Sequence, residues 1–144
     1  MFRGKLVVGG DFQRVFQEGN QVLKSPLLAF WDGGQWSRVG DLKLTGSVTV
    51  VVTNQDTLYI GGQFESYGSA DYHGLAAYEG GQWRPMDGGV GHGKVLVIGF
   101  FEQDVIVGGS FLQAGGVAVK NLARWDSRAW TAMGDFNGDF NNVY

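Results

Sequence analysis

The chain states one pattern three times, and that period constrains its fold more than any other feature. Leu6–Phe12 reads LVVGGDF, Leu58–Phe64 reads LYIGGQF and Val105–Phe111 reads VIVGGSF. Each is followed by a second block: LAFWDGGQW (Leu28–Trp36), LAAYEGGQW (Leu75–Trp83) and LARWDSRAW (Leu122–Trp130). Trp36, Trp83 and Trp130 stand 47 residues apart both times. A fixed period of this size marks a repeat architecture, in which a unit that cannot bury its own apolar face is stacked on copies of itself.

The grammar of a unit is strand and turn. Apolar residues alternate, or run in short bursts, between Gly, Asp and Asn, and no helical period is present. In the second unit SVTVVVT (Ser47–Thr53) is a β-branched run with one fully apolar face. A turn at Asn54–Asp56 leads to LYIGGQF, then a connection at Glu65–Gly74, then LAAYE, the turn EGGQ and WRPM. A period of two sets Leu58, Ile60, Gly62 and Phe64 on one face. Leu6, Val8, Gly10 and Phe12 share that face in the first unit, and Val105, Val107, Gly109 and Phe111 in the third. Four short strands in a meander cannot bury both faces alone, whereas stacking such sheets around an axis can. The expected fold is therefore all-β, a β-propeller of four-stranded antiparallel blades. The chain reads as one segment, 1–144, with repeats at roughly 1–40, 41–87 and 88–134, and 135–144 starting or closing a blade. The paired glycines allow close approach of a neighbouring blade and an unusual local backbone. Trp36, Trp83 and Trp130 are sized to fill the gap between blades, and Ala29, Ala76 and Ala123 are expected opposite bulky neighbours.

An apolar run, a diglycine, then an aromatic (Trp31, Tyr78, Trp125) five residues before a tryptophan: this resembles the kelch repeat, over essentially the whole chain. The resemblance implies a propeller and, loosely, binding, since kelch-like propellers mostly bind proteins. Galactose oxidase uses a similar blade, but its copper chemistry needs Tyr, Cys and His ligands. With no cysteine and two histidines here, that activity does not carry over.

Composition narrows the rest. The net charge of -3 and scattered Lys and Arg give no phosphate-binding stripe, so no nucleic-acid partner is expected. The absence of cysteine excludes a disulfide scaffold and a thiolate metal site. Glycine, 25 of 144 residues against about 7% in average proteins, serves turns and bulges, as only two prolines accompany it. The apolar run near Met1 is too short for a signal peptide. No stretch approaches the ~20 apolar residues of a membrane-spanning helix. The compartment stays open, and no cofactor is expected.

Binding residues concentrate on loops held by a rigid scaffold. The long connections emerge together at one end of the sheets, which makes that end the candidate surface. The first of them, Gln13–Pro26, lies between Phe12 and Leu28, a spacing five residues longer than that of its counterparts. It carries Arg14, Phe16, Gln17, Glu18 and Lys24, and reads either as a recognition loop or as a tolerated insertion, since lengthening a loop costs little. Arg14, Phe16 and Glu18 are its candidate binding residues. Tyr67, Tyr72, His73 and His92 are the other candidates, against the plainer readings of loop packing and solvent-exposed histidines. Asp135, Asn137 and Asp139 have the first three spacings of an EF-hand-type calcium loop. However, Phe140 stands where glycine is expected, and position 12 lies beyond Tyr144. The same residues read equally as the turn before a further strand. The tryptophans suggest sugar binding, but their regular placement argues for core.

Three blades are fewer than the 4–8 of closed propellers. Either the chain is part of a longer repeat array, or two copies form a homodimer. In the homodimer, residues 140–144 of each copy complete the other's N-terminal blade in a six-bladed ring. The expected function is a non-catalytic, protein-binding or scaffolding module acting through the long-loop end. The alternatives are part of a larger propeller enzyme and a structural cell-surface or adhesion protein.

Overall fold

A computed structural model of the chain describes residues 1–25, 27–40, 43–66, 72–91 and 93–134. The first unit comprises β1 (Leu6–Gly9), β2 (Arg14–Phe16), a 3-10 turn (Glu18–Asn20), β3 (Val22–Lys24), β4 (Leu28–Trp31) and β5 (Trp36–Ser37). The second comprises β6 (Leu44–Asn54), β7 (Thr57–Ser66), β8 (His73–Glu79) and β9 (Gln82–Arg84). The third comprises β10 (Val90–Gly91), β11 (Lys94–Phe101), β12 (Asp104–Ser110), β13 (Gln113–Ala114), β14 (Val117–Ala118), β15 (Leu122–Trp125) and β16 (Trp130–Ala132). The chain is all-β and its pairings are antiparallel.

Each unit builds one sheet. The second and third are four-stranded meanders, β6-β7-β8-β9 and β11-β12-β15-β16, and the first has the order β1-β4-β5. Two smaller pieces flank them, the hairpin β2-β3 and the sheet β10-β13-β14. The sheets are stacked in chain order, with one core in each gap. The first core joins Leu28, Phe30 and Val39 to Val48, Leu58 and Ile60, and the second joins Leu75, Ala77 and Met86 to Val95, Val105 and Val107. Leu58, Ile60 and Phe64 share a buried face as the alternation predicts. Ala29, Ala76 and Ala123 are fully buried and stand opposite Val8, Ile60 and Val107.

The two glycines of the second pair, Gly61 and Gly62, perform different tasks, and Gly9 and Gly109 each repeat one of them. The first lets the next sheet approach. A Cβ on Gly61 would lie 2.5 Å from Val95 Cγ1, and one on Gly9 would lie 2.7 Å from Val48 Cγ1. The second sits against a bulge in its own sheet. The register of β6 on β7 slips between Val48 and Val50, and that of β11 on β12 slips between Val95 and Val97. A Cβ on Gly62 or Gly109 would lie 2.2 or 2.1 Å from the carbonyl oxygen of Ser47 or Lys94. A bulge adds one residue to one strand and sharpens its twist. It also corrects the simple alternation read for Ser47–Thr53: Val48 and Val51 face the first sheet, while Val50 and Val52 face the third.

The tight turns solve one problem in two ways. In the first and third units an aspartate holds the turn. Asp32 Oδ1 accepts from the Gly34 and Gln35 amides, both at 2.8 Å, and Asp126 Oδ1 accepts from those of Arg128 and Ala129 at 2.8 Å. In the second unit Glu79 replaces aspartate, and its extra methylene suits this local bond less well. There Gly80 and Gly81 both adopt positive φ, 62° and 82°, as a two-residue type I′ hairpin requires.

Two outcomes are expected. Gly61→Ala should lower stability by about 1–3 kcal/mol through overpacking against Val95. Gly34→Ala, whose Cβ would meet nothing closer than 3.7 Å, should leave it nearly unchanged; denaturant midpoints of the two variants check this. Secondly, the Gln35 and Ala129 amides, with those of Gly34 and Arg128, hold the Asp32 and Asp126 carboxyls below the ordinary value of 3.8. Their stabilisation is therefore present above that value and lost as pH falls through the lower folded-state one. Acid titration of the double variant Asp32→Asn, Asp126→Asn should show a shallower loss than the parent.

Candidate functional site

The tryptophans are structural before anything else. In all three sheets the aromatic partners face each other across an antiparallel pair: Trp31 with Trp36, Tyr78 with Trp83, Trp125 with Trp130. Their ring centroids are 5.1, 5.0 and 5.2 Å apart, at 46°, 46° and 43°. The neighbouring pair Asp32 and Gln35 is the hydrogen-bonded one, so Trp31 and Trp36 form the non-hydrogen-bonded type, in which side chains come closer. In the later units the indole also reaches the preceding unit. Trp83 Nε1 donates to the Val39 carbonyl at 2.7 Å, and Trp130 Nε1 donates to the Met86 carbonyl at 2.9 Å.

The long first connection is a hairpin, and it does not stand where the sequence reading puts it. It leaves β1 at its long-connection end, where Gly10 N donates to the Leu27 carbonyl. Its tip nevertheless lies at the tight-turn end, where Gln17 Oε1 accepts from Trp36 N at 3.0 Å. In the non-hydrogen-bonded pair with Trp31, the Trp36 amide points away from β4, and the hairpin supplies its acceptor. The tip is closed by Gln17 N donating to the Gln21 carbonyl at 2.8 Å, with Gly19 and Asn20 at φ 74° and 63°. Between the tip, the aromatic pair and the Asp32–Gln35 turn lies a cleft of about 530 Å³, lined by Gln17, Gln21, Trp31, Gly33 and Trp36.

The hairpin has two faces. Val15 and Leu23 oppose each other on the half-buried side, and the outward side pairs Arg14 with Lys24 and Phe16 with Val22. Phe16 is 73% exposed. Arg14, Phe16 and Glu18 are thus brought together on one exposed element. Val22 and Lys24 join them, and the alternation of RVF against VLK is the signal that could have found this pairing.

The other candidates part company. Tyr72 belongs to the first core rather than to a surface, and burial raises its phenol above the usual 10.0. It anchors its loop, with Tyr72 N donating to Ser66 Oγ at 3.0 Å and Ser66 N donating to the Tyr72 carbonyl at 3.1 Å. His73 is half-buried and stands opposite Glu65 in the β7–β8 ladder. Both line a second cleft, of about 400 Å³, with Thr45, Gln63 and Gly93. Tyr67, His92, Asp135, Asn137, Asp139 and the blade-closing segment 140–144 lie outside the described residues. No group of three or more His, Cys, Asp or Glu side chains among the described residues could hold a metal ion. No helix among them is long and apolar enough to cross a membrane. No family model, curated protein or solved structure matches the chain.

Gln17→Ala should cost about 1 kcal/mol and speed hydrogen exchange at the Trp36 amide, while Gln17→Glu, which keeps the acceptor, should preserve protection. Amide exchange read by NMR checks both.

Proposed function

We propose that the chain is a segment of a kelch-like β-propeller acting as a non-catalytic, protein-binding module. Its binding element is the outward face of the β2–β3 hairpin rather than a crown of long connections. What supports the propeller reading is the repetition of one sheet in one register, stacked in chain order, with the aromatic pair recurring in each. The observation that carries the binding reading is Phe16, an aromatic held in the open on a hairpin that is itself pinned to β5. Aromatic residues with a fixed backbone are efficient anchors, because little freedom is lost when they are covered.

The hairpin's charges specify the partner. Arg14 lies directly across from Lys24, and like charges in that position destabilise a strand pair by a few tenths of a kcal/mol or more. A carboxylate between them relieves the repulsion and gains from both. The fitting partner is a polypeptide with an apolar side chain for Phe16 and Val22, flanked by acidic residues for Arg14 and Lys24. Long-range attraction then speeds encounter and weakens with salt.

Panning a displayed peptide library should recover sequences rich in acidic and apolar residues. Phe16→Ala and Arg14→Ala should each lower their affinity by about tenfold or more at unchanged melting temperature. Recovered peptides indifferent to both substitutions would overturn the hairpin as the binding element.

A further inference from the structure

The aromatic pair recurs in every unit, but its surroundings differ. Tyr78 and Trp83 pack against the first core, and Trp125 and Trp130 belong with the second; Trp31 and Trp36 belong to neither. The first pair nevertheless keeps the ring separation and tilt of the other two. Core filling therefore explains the later pairs and leaves the first without that role. The indole nitrogens divide in the same way. Trp83 Nε1 and Trp130 Nε1 are used on carbonyls of the preceding unit. Trp36 is bonded through its backbone amide, and its Nε1 has no partner among the described residues. No buried side-chain nitrogen or oxygen among them lacks a hydrogen bond, so this N–H is open to solvent.

What Trp31 and Trp36 line instead is the cleft of about 530 Å³ beneath the hairpin tip. Small-ligand sites span about 300–1,000 Å³. The other walls are rich in carboxamide: Gln17, Gln21 and Gln35 line the cleft, together with Glu18. Because Gln17 Oε1 accepts from Trp36 N, the Gln17 amide is held in place with its two N–H donors left over. Gln21, Gln35 and Glu18 are exposed. Among the described residues no Lys, Arg or His lines the cleft.

We propose that this cleft binds a neutral sugar, one or two pyranose units of an oligosaccharide. A pyranose presents a face of C–H groups with slight positive charge, which stacks on the negative face of an aromatic ring. Its rim of hydroxyls both donates and accepts. A carboxamide does the same, and the Glu18 carboxylate accepts from two hydroxyls at once. The free Trp36 N–H adds a donor at the edge of the platform. With no cation in the walls, a phosphate or an acidic sugar finds nothing to pair with. A proline-rich peptide also packs on aromatic rings, but it lacks most of its N–H groups and offers the glutamine and glutamate oxygens few donors. The inference uses the position of the hairpin tip and stands apart from what the outward face binds.

NMR titration of the intact chain tests it. The probes are neutral trisaccharides of glucose, mannose and N-acetylglucosamine, with a sialylated trisaccharide and decaproline beside them. At least one neutral trisaccharide should shift the Trp36 indole N–H and the Gln17 side-chain amide, and saturate with a Kd of about 1 mM or tighter. Gln35→Ala and Gln21→Ala, both at exposed positions, should each weaken that binding about fivefold, as expected for one hydrogen bond. Trp31→Ala, checked by thermal melts, should weaken it about tenfold or more through loss of stacking; if that variant does not fold, the two glutamine variants decide. Arg14→Ala should bind the sugar as the parent does while losing acidic peptides, so the two binding readings fail separately. No saturable shift with any neutral trisaccharide, decaproline occupying the cleft in their place, or a sugar affinity indifferent to the glutamine substitutions overturns the site.

Discussion

The whole stack depends on how closely one sheet can approach the next at Gly9 and Gly61. Face-to-face sheets sit about 10 Å apart when side chains interdigitate, and here valine methyls occupy the space a Cβ would need. The second glycine makes that valine available. By admitting the bulge, it lets β6 turn Val48 and Val51 to one core and Val50 and Val52 to the other. One strand thereby serves both of its neighbours. The diglycine is a single device with two halves, one setting the distance between sheets and the other setting the direction of the side chains that fill it.

Outside that device the chain separates what repeats from what does not. Alanines at the middle strands, aromatic pairs at the outer strands and the indole bonds recur at fixed spacing and hold the stack. The hairpin at Arg14–Lys24 is longer than its counterpart β13-β14 in the third unit, and its outward face is exposed. Lengthening a connection carries a small entropic cost, so a repeat scaffold can carry such an element in one unit without disturbing the others. The Gln17 bond to Trp36 converts that insertion from a loop into a positioned surface.

Much of this was legible in the sequence, because repeat position reports burial. Leu58, Ile60 and Phe64 were assigned a common face by alternation and share one, and the antiparallel meander followed from strand length and turn residues. The bulge at Thr49 was not legible: an all-valine run has no polar residue to mark where the alternation slips. Tyr72 read both as a surface candidate and as packing for its loop, and its ring is buried in the first core. The hairpin's course was hidden for a different reason. A loop's length says nothing about its direction, and the long-range bond from Gln17 to a strand-edge amide leaves no local pattern.

The indole bonds also have a direction. Each runs from a tryptophan to a carbonyl 44 residues earlier in the chain, so the acceptor always emerges from the ribosome before its donor. Folding during synthesis proceeds from the N-terminus, and each new sheet therefore meets a template that is already complete. The loops these bonds close span just under one 47-residue unit, so each closure joins neighbouring sheets only. The stack is arranged to grow one way.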